Sequence, residues 1–247
     1  MKTTTVLTLI IGIALTFIVG CDTVRDILKD GGSGNVPDST YHPVINPANF
    51  VEKIDNPYFP LTPGTTFIYE GESEDGSERV EVNVTNETQV ILGVTCIVVR
   101  DRVWIDDELV EDTFDWYAQD KDGNVWYFGE DSKEIENGVV VGTDGSWEAG
   151  VNGATPGILM LAAPVIGTQY QQEFAEGVAE DMAKVLSLSE TVAVPYGAFP
   201  GCLKTVEWTP LAPGAREFKF YSPGVGLVLE LQSRGGGVRI ELTAIDK

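Results

Sequence analysis

The sequence predicts an all-β protein, a single antiparallel meander sheet curled into a barrel, half-barrel or sandwich, with few or no helices. Two observations carry this. Short segments alternate apolar and polar residues with a period of two, the pattern of a strand with one buried face. Between them stand pairs of turn-forming residues of the kind antiparallel hairpins require.

The alternation is clearest in RVEVNV, where Val80, Val82 and Val84 oppose Arg79, Glu81 and Asn83. REFKFY sets Phe218 and Phe220 against Glu217 and Lys219, and VRIEL sets Val238, Ile240 and Leu242 against Arg239 and Glu241. Each predicts a half-buried strand with its apolar face turned to the core. Asp75-Gly76, Asp106-Asp107, Asp122-Gly123, Asn137-Gly138 and Asp144-Gly145 separate the apolar runs as turns. Roughly ten to twelve strands between residues 66 and 245 are too many for a flat open sheet, hence the expected curling. Two stretches lack the pattern. Residues 150–167, GVNGATPGILMLAAPVIG, read as a long apolar loop with one helical turn at residues 158–161, and residues 180–188, EDMAKVLSL, as the start of a strand reaching Val194.

Three segments precede or make up the fold. Residues 1–20 form a signal peptide: Lys2, then an uncharged apolar run from Val6 to Val19 that is shorter than the ~20 residues a spanning helix needs. Ile18-Val19-Gly20-Cys21 resembles the bacterial lipobox, which makes Cys21 the lipidated N-terminus and the membrane the first partner. Acyl chains at about 0.8 kcal/mol per buried CH₂ hold such a protein on a bilayer without a spanning helix. These features place the chain in the bacterial cell envelope and do not distinguish inner from outer membrane. Residues 21–49, rich in Gly, Pro, Ser, Asp and Asn, read as a flexible tether, and residues 50–247 as a single all-β domain.

Charge narrows the partners. The chain has 16 Lys and Arg against 38 Asp and Glu, a net charge of −22; losing residues 1–20 removes Lys2 and no acid, leaving −23. Nucleic acid is excluded as a partner by that sign, and an acidic solvated surface is expected. Cys96 and Cys202 are the thiols left beside Cys21. They are either bridged, which would stabilise the fold by about 4–5 kcal/mol across so long a loop, or two buried free thiols. With His42 as the single imidazole, they make no zinc site.

The stretch DWYAQDKDGNVWYFGEDS, residues 115–132, concentrates acids, amides and aromatics. Asp120, Asp122 and Asn124 occupy the first, third and fifth places of a calcium loop, but Val125 stands where that loop needs Gly and Asp131 where it needs Glu. The aromatic flanks are strand chemistry, so a hairpin turn is the reading and a surface calcium site the alternative. The acids Asp115, Asp120, Glu130, Asp131 and Glu148 lie close in sequence to Trp104, Trp116, Trp126 and Trp147, the pairing used by sugar-processing sites. The motifs of serine hydrolases, phosphate-cradling loops and zinc peptidases are absent. Large apolar side chains on a curled sheet also suit a cavity for a hydrophobic small molecule or lipid, with Trp116, Trp126, Ile158, Leu159 and Leu161 as candidate walls and the 150–167 loop as lid.

IDNPYFPLTPGT, DWYAQDKDGNVWYFGE, GSWEAGV and SPGVGLV resemble stretches of a family of uncharacterised bacterial lipoproteins and secreted proteins, from about residue 54 to the C-terminus. The resemblance implies no activity and no catalytic residue. The favoured reading is therefore a lipid-anchored binding or structural module rather than an enzyme. A carboxylate-dependent glycan hydrolase and a calcium-stabilised surface protein stand as alternatives.

Overall fold

The computed structural model describes residues 41–73, 75–233 and 237–247. The signal peptide, Cys21 and most of the expected tether lie outside the described residues. In chain order the strands are β1 (Phe50–Val51), β2 (Thr66–Ser73), β3 (Gly76–Ile91), β4 (Val94–Ile105), β5 (Glu108–Asp120), β6 (Val125–Asp131), β7 (Glu134–Glu136), β8 (Val139–Gly142) and β9 (Trp147–Glu148). The second half holds β10 (Thr155–Met160), β11 (Gln169–Gln171), β12 (Glu173–Phe174), β13 (Met182–Val194), β14 (Gly197–Trp208), β15 (Glu217–Ser222), β16 (Gly226–Gln232) and β17 (Arg239–Asp246). Among the described residues there is no α-helix, only a 3₁₀ turn at Pro47–Asn49.

All sheet pairings are antiparallel, and they run almost full circle. From β2 the order passes through β3, β4, β5 and β6 to β10, crosses to β12 and, one residue away, β11, and continues through β13, β14, β15 and β16 to β17. β17 then pairs with β2 along Arg239↔Glu72 to Asp246↔Thr66, which brings the sheet nearly closed into a barrel. Closure removes the unpaired edges an open sheet of this size would expose. The turn pairs named above all fall at strand junctions, with Gly76 opening β3. The β3–β4 hairpin turns at Leu92-Gly93 instead, both at positive φ, a connection the apolar Leu92 conceals in sequence.

Residues 150–167 depart from expectation. No helical turn forms at residues 158–161; β10 pairs with β6 there, Gly157 opposite Tyr127 and Ile158 opposite Trp126. The Gly and Pro that suggested a loop mark a close approach: a Cβ at Gly157 would lie 2.3 Å from the Gln172 carbonyl oxygen. The strand expected from EDMAKVLSL is present as β13.

A second correction concerns which way the strands face. In β3 the valines point inward, as their alternation implies. In β15 the order is inverted: Glu217 and Lys219 point into the barrel, while Phe218 and Phe220 lie on its outer side and are nonetheless buried, at 2% and 6% exposure. The cause is the long β13–β14 hairpin. Register shifts between Val185 and Thr191 bend it, and its distal half lies against the outer side of β16 and β17. There the Arg239 guanidinium donates to the Ala193 carbonyl, and the Tyr196 amide to that of Leu242. With both faces covered, a period of two no longer says which side is solvent.

Candidate functional site

The barrel interior is apolar at one end and acidic through its middle. Phe67, Tyr69, Val82, Val84 and Val99 line the apolar end, and residues 54–61 lie across it. Two prolines, Pro57 and Pro60, and the Ile54↔Leu61 bridge fold this segment into a compact strap. One flank is tied to the β5–β6 hairpin: the Asp55 and Asn56 amides both donate to Gln119 Oε1 at 2.9 and 2.8 Å, and Gln119 Nε2 donates to Asp55 at 2.7 Å. Asn56 Nδ2 donates to the carbonyls of Gly123 and Leu161. The other flank meets the β15–β16 turn, where the Gly224 amide donates to the Pro57 carbonyl at 2.7 Å. Phe59 drops inward, edge-on to Tyr117 at 5.4 Å. Beneath it is a void of about 30 Å³ bordered by Phe59, Leu61, Phe67, Tyr69, Tyr117 and Leu227, with Asp101 and Asp115 at its polar side.

Below that void lie ten buried acids: Glu78, Asp101, Glu111, Asp115, Glu130, Glu173, Asp181, Glu207, Glu217 and Glu230. More than a quarter of the chain's 38 acids are therefore inside, and the expected solvated acidic surface accounts for only part of the charge. Lys219, 1% exposed, is the buried cation among them. Its Nζ lies 2.9 Å from Glu207, 3.4 Å from Glu217 and 3.9 Å from Glu230. Glu207 also accepts from Thr205 Oγ1 and the Tyr221 hydroxyl, and Glu230 from Gln232 Nε2. Burial works against the Lys219 ammonium, but the three carboxylates together raise its pKa and keep it charged.

One cation does not neutralise so many acids, and burial pushes the pKa values of most of them up, those of the Lys219 partners Glu217 and Glu230 included. Glu78, Glu111, Asp115 and Glu230 rise to about 7, Asp181 and Glu217 to about 8. Asp101, Glu130 and Glu173 rise well above the ordinary range, burial being the first cause and neighbouring acids the next. Asp115 is held back partly by its acceptor role: the Tyr127 hydroxyl donates to it at 2.6 Å. Asp115 and Glu130 stand opposite each other across β5 and β6, where Gly129 adopts φ +130°. A side chain at Gly129 would meet the Trp147 carbonyl oxygen at 2.2 Å, so this glycine lets β9 pack against the acid pair.

The residues singled out in the sequence are dispersed. Of the five acids near tryptophans, Asp115 and Glu130 meet inside, whereas Asp120, Asp131 and Glu148 do not join them. Trp104, Trp116 and Trp126 are on the outer side, Trp104 under the guanidiniums of Arg79 and Arg102, so they do not share a cleft with that pair. Trp116, Trp126 and Ile158 face outward and Leu159 is buried, so the five residues named as cavity walls do not surround one space. Leu161 enters instead through its carbonyl, as an anchor for Asn56. The strap at residues 54–61, not the 150–167 segment, covers the barrel end.

At the 115–132 hairpin, Asp120 accepts from the Asn124 amide, Asn124 Nδ2 and Trp126 Nε1, all within 2.9 Å, while Asn124 Oδ1 accepts from the Ala162 amide. Both Asp120 oxygens thus brace the turn, and Asp122 is exposed. No group of three or more His, Cys, Asp or Glu side chains arranged to hold a metal occurs among the described residues. Cys96 and Cys202 are both free and buried, donating weakly to the carbonyls of Val94 and Phe199. Burial raises the Cys96 thiol to about 12, which makes it inert.

Sequence reasoning missed the internal acids because it assigned every polar face to solvent. The available signal was their repetition at alternate positions in Glu207, Glu217, Lys219 and Glu230 on successive strands, with a single cation among them.

Fold and site together define a nearly closed antiparallel barrel with a carboxyl-rich interior and a strapped apolar end. No family model matches the chain, and no curated protein matches it. Two solved structures are similar: a protein of Bacteroides fragilis NCTC 9343, described as exported and as having a YmcC-like fold, and one from Parabacteroides distasonis ATCC 8503, described as a lipoprotein. The first is 14% identical, covers 77% of this chain and 99% of its own, and has a TM-score of 0.45. The second is 13% identical, covers 76% and 98%, and has a TM-score of 0.41. Both likenesses are remote.

Proposed function

We propose that this protein is a lipid-anchored binding module of the bacterial cell envelope, tethered through Cys21, and that the strapped end of its barrel receives a small apolar molecule. The anchor rests on the lipobox resemblance and the short apolar run before it. The binding reading rests on the void beneath Phe59: it is walled largely by apolar and aromatic side chains, and its cover is one short segment held by a few hydrogen bonds. Swinging residues 54–61 away would enlarge the void without breaking any pairing between the barrel strands.

Mass spectrometry of the mature N-terminus tests the anchor. An acylated Cys21 is expected, and an unmodified Cys21 or retention of residues 1–20 would contradict it. For the ligand end, amide-shift titration of the full chain with 1-hexanol should move Phe59, Leu61, Tyr69 and Leu227 first. Shifts centred on Trp116 and Trp126, or none, would contradict the reading.

A further inference from the structure

We propose that the molecule received at the strapped end is an amphiphilic amine, its cationic head set on Asp101 and its apolar tail lying along the strap; this rests on the apolar-binding reading above. Asp101 is the decisive residue. It is 1% exposed, it borders the void, and neither of its oxygens has a hydrogen-bond donor among the described residues. A buried carboxyl left without a donor is costly, and a ligand that donates to it removes the cost. Asp115 borders the same space, so the polar side of the void consists of two carboxyls, and an ammonium that takes the place of their bound protons is met by acceptors. Lys219, the cation inside the barrel, is engaged by Glu207, Glu217 and Glu230.

Shape agrees with charge. A void of about 30 Å³ accommodates a group the size of one or two water molecules, which suits a primary ammonium and excludes a sugar or an aromatic ring. The rings of Phe59, Tyr69 and Tyr117 border it, and aromatic surroundings favour a cation over an anion. A fatty acid would add a third carboxyl to these two and no cation to balance them. A bare metal ion would find only these two carboxyls at the void.

Three probes of equal chain length decide the matter: n-hexylammonium, 1-hexanol and hexanoate, titrated at pH 7 into the full chain and followed by amide shifts. Hexylammonium is expected to bind at least about 10-fold tighter than 1-hexanol, the scale of one charge-assisted hydrogen bond, with hexanoate weakest. Asp101→Asn, confirmed folded by circular dichroism, should abolish the advantage of the amine and leave 1-hexanol binding unchanged. Should that variant fail to fold, the order of the probes on the unaltered chain decides alone. Equal binding of the amine and the alcohol, or preference for hexanoate, overturns the amine assignment and leaves the apolar reading standing. If no probe moves Phe59 or Leu227, both fall.

Discussion

Replacing Lys219 with methionine is expected to destabilise the barrel by about 3–5 kcal/mol at pH 8, the scale found when one partner of a buried ion pair is removed. Methionine keeps most of the volume, so the loss reports charge rather than a cavity. Glu207, Glu217 and Glu230 would then face one another without their cation, each 4% exposed or less in its side chain. The remedy open to Glu217 and Glu230 is protonation, which becomes easier as pH falls. The deficit measured by urea unfolding should therefore shrink between pH 8 and pH 5. Adding Glu207→Gln to Lys219→Met should restore part of the stability, because the closest partner then needs no counter-charge. A deficit that is small, or equal at both pH values, would mean that Lys219 does not neutralise the acids around it.

The second large effect is the pH dependence of the unaltered protein, and its sign is opposite to that of proteins held by exposed carboxylate ion pairs. Glu78, Glu111, Asp115, Asp181, Glu217 and Glu230 have pKa values raised to about 7 or 8 in the folded chain, from ordinary values of 4.5 for Glu and 3.8 for Asp. Between roughly pH 4 and pH 8 the folded state thus binds more protons than the unfolded chain. Stability is full below the unfolded values and is lost as pH rises through the folded ones. A carboxyl that titrates one pH unit higher in the folded chain than in the unfolded one contributes about 1.4 kcal/mol. Burial is the leading cause for all six. The expected result is a Tm higher at pH 5 than at pH 8 by more than about 5 °C for a domain of this size. Self-repulsion of a chain with net charge −22 works in the same direction.

The same acids show how far the sequence could be read. The all-β class, the antiparallel pairing, most hairpin turns and the strand at β13 were legible because each is a local signal: an alternation, a Gly after an Asp or Asn, a β-branched run. Topological closure was legible only as an expectation, since β17 meets β2 across more than 160 positions. The facing of β15 was not legible. Glu217 and Lys219 alternate with Phe218 and Phe220 in a way that fits either orientation, and what decides it is the bent β13–β14 arm covering the phenylalanines from outside. The strap was hidden for a similar reason. IDNPYFPL carries two prolines that only stiffen the approach to β2, and the tertiary bonds of Asn56 and Gln119 are what set it across a barrel end.

Both large effects depend on a barrel whose core acids hold their protons close to neutrality, with Lys219 as the buried cation among them. The most direct measurement is a ¹³C-detected titration of the Asp and Glu carboxyl resonances in the folded chain. The prediction is that several carboxyls, Asp101 and Asp115 among them, remain protonated at pH 6 and titrate near or above neutrality. If every carboxyl instead titrates between about pH 3 and pH 5, as exposed Asp and Glu do, the acids are in water and the interior described above does not exist.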